Sequence, residues 1–153
     1  DESSSTAEVS SDCLTTFQIE GEAVQANRFV LAARSDVFRA ELFGQLEEAA
    51  TRIVSIEDFS VAAFKCFLSL LSEASNSDIV CSFIHSPPED VNLVEVYALA
   101  DKYCVPDIRS LLRAAILHSV KEGNARNLLD HCRRYKTSAL THEICVQVVA
   151  RFP

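Results

Sequence analysis

Methionine does not occur in this chain of 153 residues, so the initiator is missing and the sequence reads as a piece of a longer protein or a trimmed one. Glycine is scarce, at three residues, which removes any Gly-rich loop able to cradle a phosphate. No stretch approaches the roughly 20 apolar residues that span a bilayer. No basic segment precedes an apolar core as in an export signal, so no signal peptide is expected. H-E-x-x-H, a nucleophile elbow and a carboxylate pair of recognisable spacing are all absent, and serine and histidine are present but unorganised. The expectation is a chain that is not an enzyme and needs no cofactor.

Positive charge is also in short supply. Fourteen Lys and Arg face 22 Asp and Glu, a formal net charge of −8. Arg133-Arg134 is the only adjacent basic pair. Phosphate backbones require clustered cations, so nucleic acid is not an expected partner, and the acidic balance reads as a solvated surface. Nothing here calls for a membrane either.

Six cysteines are present without a C-x-x-C: Cys13, Cys66, Cys81, Cys104, Cys132 and Cys145. Their spacing is wide and irregular, and most lie in apolar runs, where a free thiol packs as a small hydrophobe. With no export signal a reducing compartment, cytoplasmic or nuclear, is expected. His131, Cys132, His142 and Cys145 could in principle assemble a zinc site. Two of them are adjacent and diverge on a helix, so packed thiols and surface histidines are preferred and no metal is expected.

Hydrophobic residues make up 48% of the chain, enough for a core in one domain, or one domain with a helical appendage. Residues 1–10 are Ser-rich and acidic and read as a flexible lead-in. Ser11 to Ile19 offers Leu14, Phe17 and Ile19 to one face of a strand. Glu20-Gly21-Glu22 turns the chain, and Ala23 to Ala26 returns. Asn27 to Phe43 then reads as two short helices jointed at Ser35. Phe29 to Ala33 leave no polar face, so the first helix is expected to be buried nearly all round. Ser35 suits a cap, and Val37, Phe38, Leu42 and Phe43 give the second helix its stripe. Gly44 ends it, a polar linker 45–51 follows, and Arg52 to Ile56 is a third strand.

Asp58 to Ser72 is amphipathic, with Val61, Phe64, Phe67, Leu68 and Leu71 at helical spacing. In 73–90, Ile79 to Ile84 reads as a short strand within surface loop. Asn92 caps a helix carrying Leu93, Val96, Tyr97, Ala100 and Cys104 on its stripe. Pro106 starts another with Ile108, Leu111, Leu112, Ala115, Ile116 and Val120 on one side. After Gly123-Asn124 two helices follow, lined by Leu128, Leu129 and Cys132, and by Leu140, Ile144, Val148 and Phe152.

The run Leu31-Ala32-Ala33-Arg34-Ser35, followed by Val37-Phe38-Arg39-Ala40, resembles the first helical hairpin of BTB/POZ domains, approximately A-H-R-x-V-L-A-A-R-S-x-V-F. It most resembles the MATH–BTB (speckle-type) branch. Ala98 to Tyr103 resembles the L-x-x-A-D-K-Y helix of the same domains. Asn27 stands where the family usually has histidine, and 73–90 is longer than usual.

The resemblance implies an α+β BTB/POZ fold over 11–120. A small, mostly N-terminal sheet packs on a cluster of helices, with a helical pair over 121–153 similar to a 3-box or the start of a BACK region. It implies a homodimer in which Asp12 and Arg28 form a buried ion pair at the interface. It implies a cullin-3 contact through an apolar–any–Glu motif, matched by Leu46-Glu47-Glu48, with Leu46 as anchor and Glu48 fixing register. The function implied is a dimerising substrate adaptor of a cullin-3 ubiquitin ligase whose substrate binds a domain absent from this chain. Two other functions stay open: a dimerisation scaffold or transcriptional regulator that never meets a cullin, and a monomeric adaptor similar to Skp1.

Overall fold

The computed structural model describes residues 13–44, 51–73 and 76–152. The chain divides into two compact units, residues 1–61 and residues 62–153.

In the first unit, β1 (Leu14–Ile19) and β2 (Glu22–Asn27) form an antiparallel hairpin, with Phe17 opposite Val24. Its two-residue loop, Glu20-Gly21, takes φ of 53° and 79°. Positive φ at both positions matches the right-handed twist of the flanking strands. Helices α1 (Arg28–Arg34) and α2 (Asp36–Phe43) follow directly. β3 (Ile53–Ile56) then lies parallel to β1 on the side away from β2, placing Val54 beside Phe17. Alternation buries Thr15, Phe17 and Ile19 on β1 and Val54 and Ile56 on β3. Leu14 is therefore out of phase with Phe17 and Ile19, contrary to the sequence expectation, because the period of a strand is two. Thr15 takes the inward place instead.

The second unit is helical among the described residues. Helix α3 (Val61–Glu73) buries Ala63, Phe64, Phe67, Leu70 and Leu71. Phe67 stacks on Tyr103 at 6.0 Å. Helix α4 (Ser77–His85) occupies the stretch expected to be a strand. Asn76 Oδ1 accepts the N–H groups of Asp78 and Ile79, which satisfies two donors that a helix start leaves open. Ile79, Val80, Phe83 and Ile84 are half-buried and Ser77, Asp78, Cys81 and Ser82 exposed, the spacing of one helical face.

Asn92 Oδ1 accepts from Val94 and Glu95 and starts α5 (Leu93–Lys102). Pro106 opens α6 (Pro106–His118), and α7 (Ala125–Arg134) and α8 (Ser138–Arg151) complete the chain. One core joins four of these helices. Val94 of α5, Ile116 of α6, Val120, Cys132 of α7, and Leu140 and Ile144 of α8 form a single buried cluster. Arg113 of α6 also pairs with Glu143 of α8, and that hydrogen bond lowers the Glu143 pKa. A carboxylate with a lowered folded-state pKa supports the fold above its ordinary range and loses that support as pH falls through it, a small effect at so exposed a pair.

Scarce glycine has a visible consequence. Helices α5 and α7 end in the same hydrogen-bonded turn: Val105 N–H donates to Ala100 O and Thr137 N–H to Cys132 O, both at 3.0 Å. Such an ending puts one residue in the left-handed region, usually glycine. Here Cys104 (φ 54°) and Lys136 (φ 58°) occupy it. Lys136→Gly should relieve that strain and raise stability by about 0.5–1 kcal/mol, read as a later urea midpoint with unchanged slope.

Three cysteines depart from the expected core role. Cys81, Cys104 and Cys145 are exposed, Cys13 and Cys66 half-buried, and only Cys132 is buried. Cys104 leaves the α5 stripe because it sits in the turn. The Cys66 thiol is pushed up to about 11, first by burial and then by the Asp90 carboxylate.

Candidate functional site

The first helix inverts the usual arrangement of charge and oil. On α1 the cation Arg28 is buried, while Phe29 is 53% exposed and Val30 41%. The sequence expectation of a helix buried nearly all round is thus corrected. Arg28 and Leu31 are three apart and share the inward face; Phe29 and Val30 fall outside it. A buried charge and an exposed apolar patch are the two informative departures from ordinary burial, and here they are adjacent.

Local sequence builds the geometry. Asn27 Oδ1 accepts the N–H groups of Phe29 and Val30 and starts α1 in the frame that turns Arg28 inward. The Asn27 side chain therefore acts as a cap. Ser35 closes α1 and starts α2, its Oγ accepting from Phe38 N–H at 3.0 Å, as expected. At the far end of α2, Gly44 N–H donates to Ala40 O. A Cβ at position 44 would collide with that carbonyl oxygen, so glycine is required.

The Arg28 side chain bridges these ends. Nη2 donates to Leu42 O at 2.8 Å. Its guanidinium carbon lies 4.2 Å from the Phe43 ring centroid and 5.9 Å from that of Phe29. The two rings stand 5.2 Å apart, and Phe43 is 41% exposed rather than inside the α2 stripe. Nε has no hydrogen-bond partner among the described residues. The carbonyls at a helix C-terminus carry partial negative charge, and aromatic faces attract cations. Those two features compensate the buried guanidinium within the chain.

Of the expected interface pair, only Arg28 lies among the described residues; Asp12 does not, and neither do Leu46 and Glu48. The exposed Phe29, Val30 and Phe43 escaped sequence reasoning. The available signal was the Arg28–Leu31 spacing, which assigns the inward face once Arg28 is taken as buried.

The second unit offers no assembled chemistry among the described residues. A cavity of about 550 Å³ is lined in part by His85, His118 and His131, with the first two rings edge-on at 4.8 Å. Another, of about 640 Å³, lies at the α7–α8 junction and is lined by Leu129, Cys132, Arg133, Thr137 and Cys145 among others. Among the described residues no group of three or more His, Cys, Asp or Glu is placed to hold a metal, and His131, Cys132, His142 and Cys145 are not brought together as one. Among the described residues no helix is long and apolar enough to cross a membrane.

Comparison with known proteins bears on both units. The family model for the BTB/POZ domain matches residues 4–120. BTB/POZ and MATH domain-containing protein 4 of Arabidopsis thaliana is 28% identical over 141 residues, which are 88% of this chain and 30% of that protein. BTB/POZ and MATH domain-containing protein 6 of the same plant is 30% identical, covering 82% of this chain and 32% of its own length. BTB/POZ domain-containing protein 9 of Drosophila melanogaster is 27% identical, covering 88% and 18%. The chain thus spans about a third or less of the length of these relatives. A small three-stranded sheet with helices, a hairpin of the expected wording and a match over most of the length have one source: the chain belongs to the BTB/POZ family of protein-interaction domains.

Proposed function

We propose that this chain is the dimerising, non-catalytic module of a substrate adaptor that delivers targets to a cullin-3 ubiquitin ligase. The observation that carries the reading is the inverted α1, where Phe29, Val30 and Phe43 form an apolar patch over a buried arginine. Aromatic residues near arginine are the usual anchors of protein interfaces. A second copy of the chain is the proposed occupant, with Asp12 and Arg28 at the interface. Relatives named as MATH and BTB proteins support the adaptor class, and Leu46 and Glu48 are the proposed cullin contacts. Residues 11–120 would form the BTB module, and 121–153 a 3-box or BACK-like extension.

The mechanism is proximity. Two linked copies raise the effective concentration of a target beside the ligase, and the target itself would bind elsewhere in the longer protein. Under the same proposal the chain works in a reducing compartment, cytoplasmic or nuclear.

Leu46→Ala with Glu48→Ala should weaken binding to the N-terminal region of cullin-3 by at least about tenfold while leaving the thermal midpoint unchanged. Calorimetric titration reads the affinity, and scanning calorimetry reads the midpoint. Unchanged affinity would remove the loop assignment. Undetectable association of the unmodified chain at roughly tens of micromolar would leave a dimerisation scaffold in place of a ligase adaptor.

A further inference from the structure

Resting on the self-association reading above, we propose that Arg28 is a positioning residue that shapes the aromatic face through its guanidinium plane. Three observations converge. The side chain is buried, and among the described residues it meets a carbonyl and two rings within the same chain. Its edge is committed to Leu42 O at the end of α2, and its centre lies over Phe43 at 4.2 Å. The same group reaches Phe29, so one cation touches the start of α1 and the end of α2.

This arrangement requires a planar cation. A guanidinium donates in its plane and presents a flat face, so it holds a carbonyl and a ring at once. An ammonium is a compact point charge with three rotatable donors and lacks the flat face that the guanidinium lays on the ring. The ring pair would otherwise be two exposed side chains free to turn, and ordering them on association costs binding free energy. Holding them ready before the second copy arrives lowers that cost. The chemistry recognised is an apolar and aromatic surface, which a second copy of this chain provides by symmetry.

The test is a double-substitution cycle read as the dimer dissociation constant, by sedimentation across a dilution series of the full chain. Arg28→Lys keeps the charge and loses the plane; Phe43→Leu keeps apolar bulk and loses the ring. Each should weaken the dimer by about tenfold, and the double variant should be no weaker than the worse single one by more than about threefold. Phe43 is exposed, so Phe43→Leu tests the inference even if Arg28→Lys folds poorly. Wild-type affinity in Arg28→Lys would mean that charge alone suffices and would overturn the inference, as would additive losses. A dimeric wild type with an unaffected Arg28→Lys overturns only this inference; a wild type that stays monomeric overturns the self-association reading together with it.

Discussion

Phe38→Ala is expected to cost about 3–5 kcal/mol of unfolding free energy, a large share of the roughly 5–15 kcal/mol typical of a domain. Phe38 is fully buried on α2 and meets Phe17 of β1 edge-on, with centroids 5.9 Å apart and planes at 72°. It therefore links helix to sheet in the first unit, and an alanine leaves a cavity beside the Phe17 ring. The backbone around it is fixed independently, since Ser35 holds the Phe38 N–H, so collapse into the cavity is restricted. Urea unfolding followed by circular dichroism reads the loss. A cost below about 1 kcal/mol would mean that the site closes up or that the helix is held by other contacts.

The second large effect lies in the helical unit. Ile144→Asp should destabilise by on the order of 5 kcal/mol, enough to bring thermal unfolding close to ambient temperature. Ile144 is fully buried in the cluster with Val94, Ile116, Val120, Cys132 and Leu140. None of these side chains except the weak thiol of Cys132 could serve a carboxyl group, so its hydration would be lost without return. Ile144→Val, which removes one methylene, should cost only about 0.5–1.5 kcal/mol and separates packing from polarity. Differential scanning calorimetry of the pair is the measurement; equal midpoints for both variants would show that α8 is not part of a shared core.

Much of this fold could be read from residue order, and the parts that could not share a cause. Ser35, Asn92 and Pro106 announced helix starts because capping is local, requiring only a side-chain oxygen or a missing N–H within a few residues. The hairpin was legible in Glu20-Gly21 for the same reason. Helix α4 was not: Ile79-Val80 and Phe83-Ile84 form a short apolar run, for which strand and helix periods are hard to separate. The signal passed over was Asn76-Ser77-Asp78, a start whose Asn76 accepts two backbone donors. Thr15 rather than Leu14 faces inward because the period of two through Phe17 and Ile19, not hydrophobicity alone, sets the strand phase. On α1 the rule that oil goes inward failed, since a surface suited to receive a second protein obeys different rules from a core. Arg28 is singled out by the family resemblance, but its carbonyl partner Leu42 and its nearer ring Phe43 lie 14 and 15 positions away, which no local pattern displays.

The buried cluster that joins α5 and α6 to α7 and α8 has a bearing on how such chains are recombined. The BTB family match stops at residue 120, which invites a splice there when a module is exchanged between proteins. A cut at that point would pass through the middle of one hydrophobic interior, with Val94, Ile116 and Val120 on one fragment and Cys132, Leu140 and Ile144 on the other. Grafts that carry α7 and α8 along with the preceding helices should yield soluble chimeras where shorter grafts precipitate.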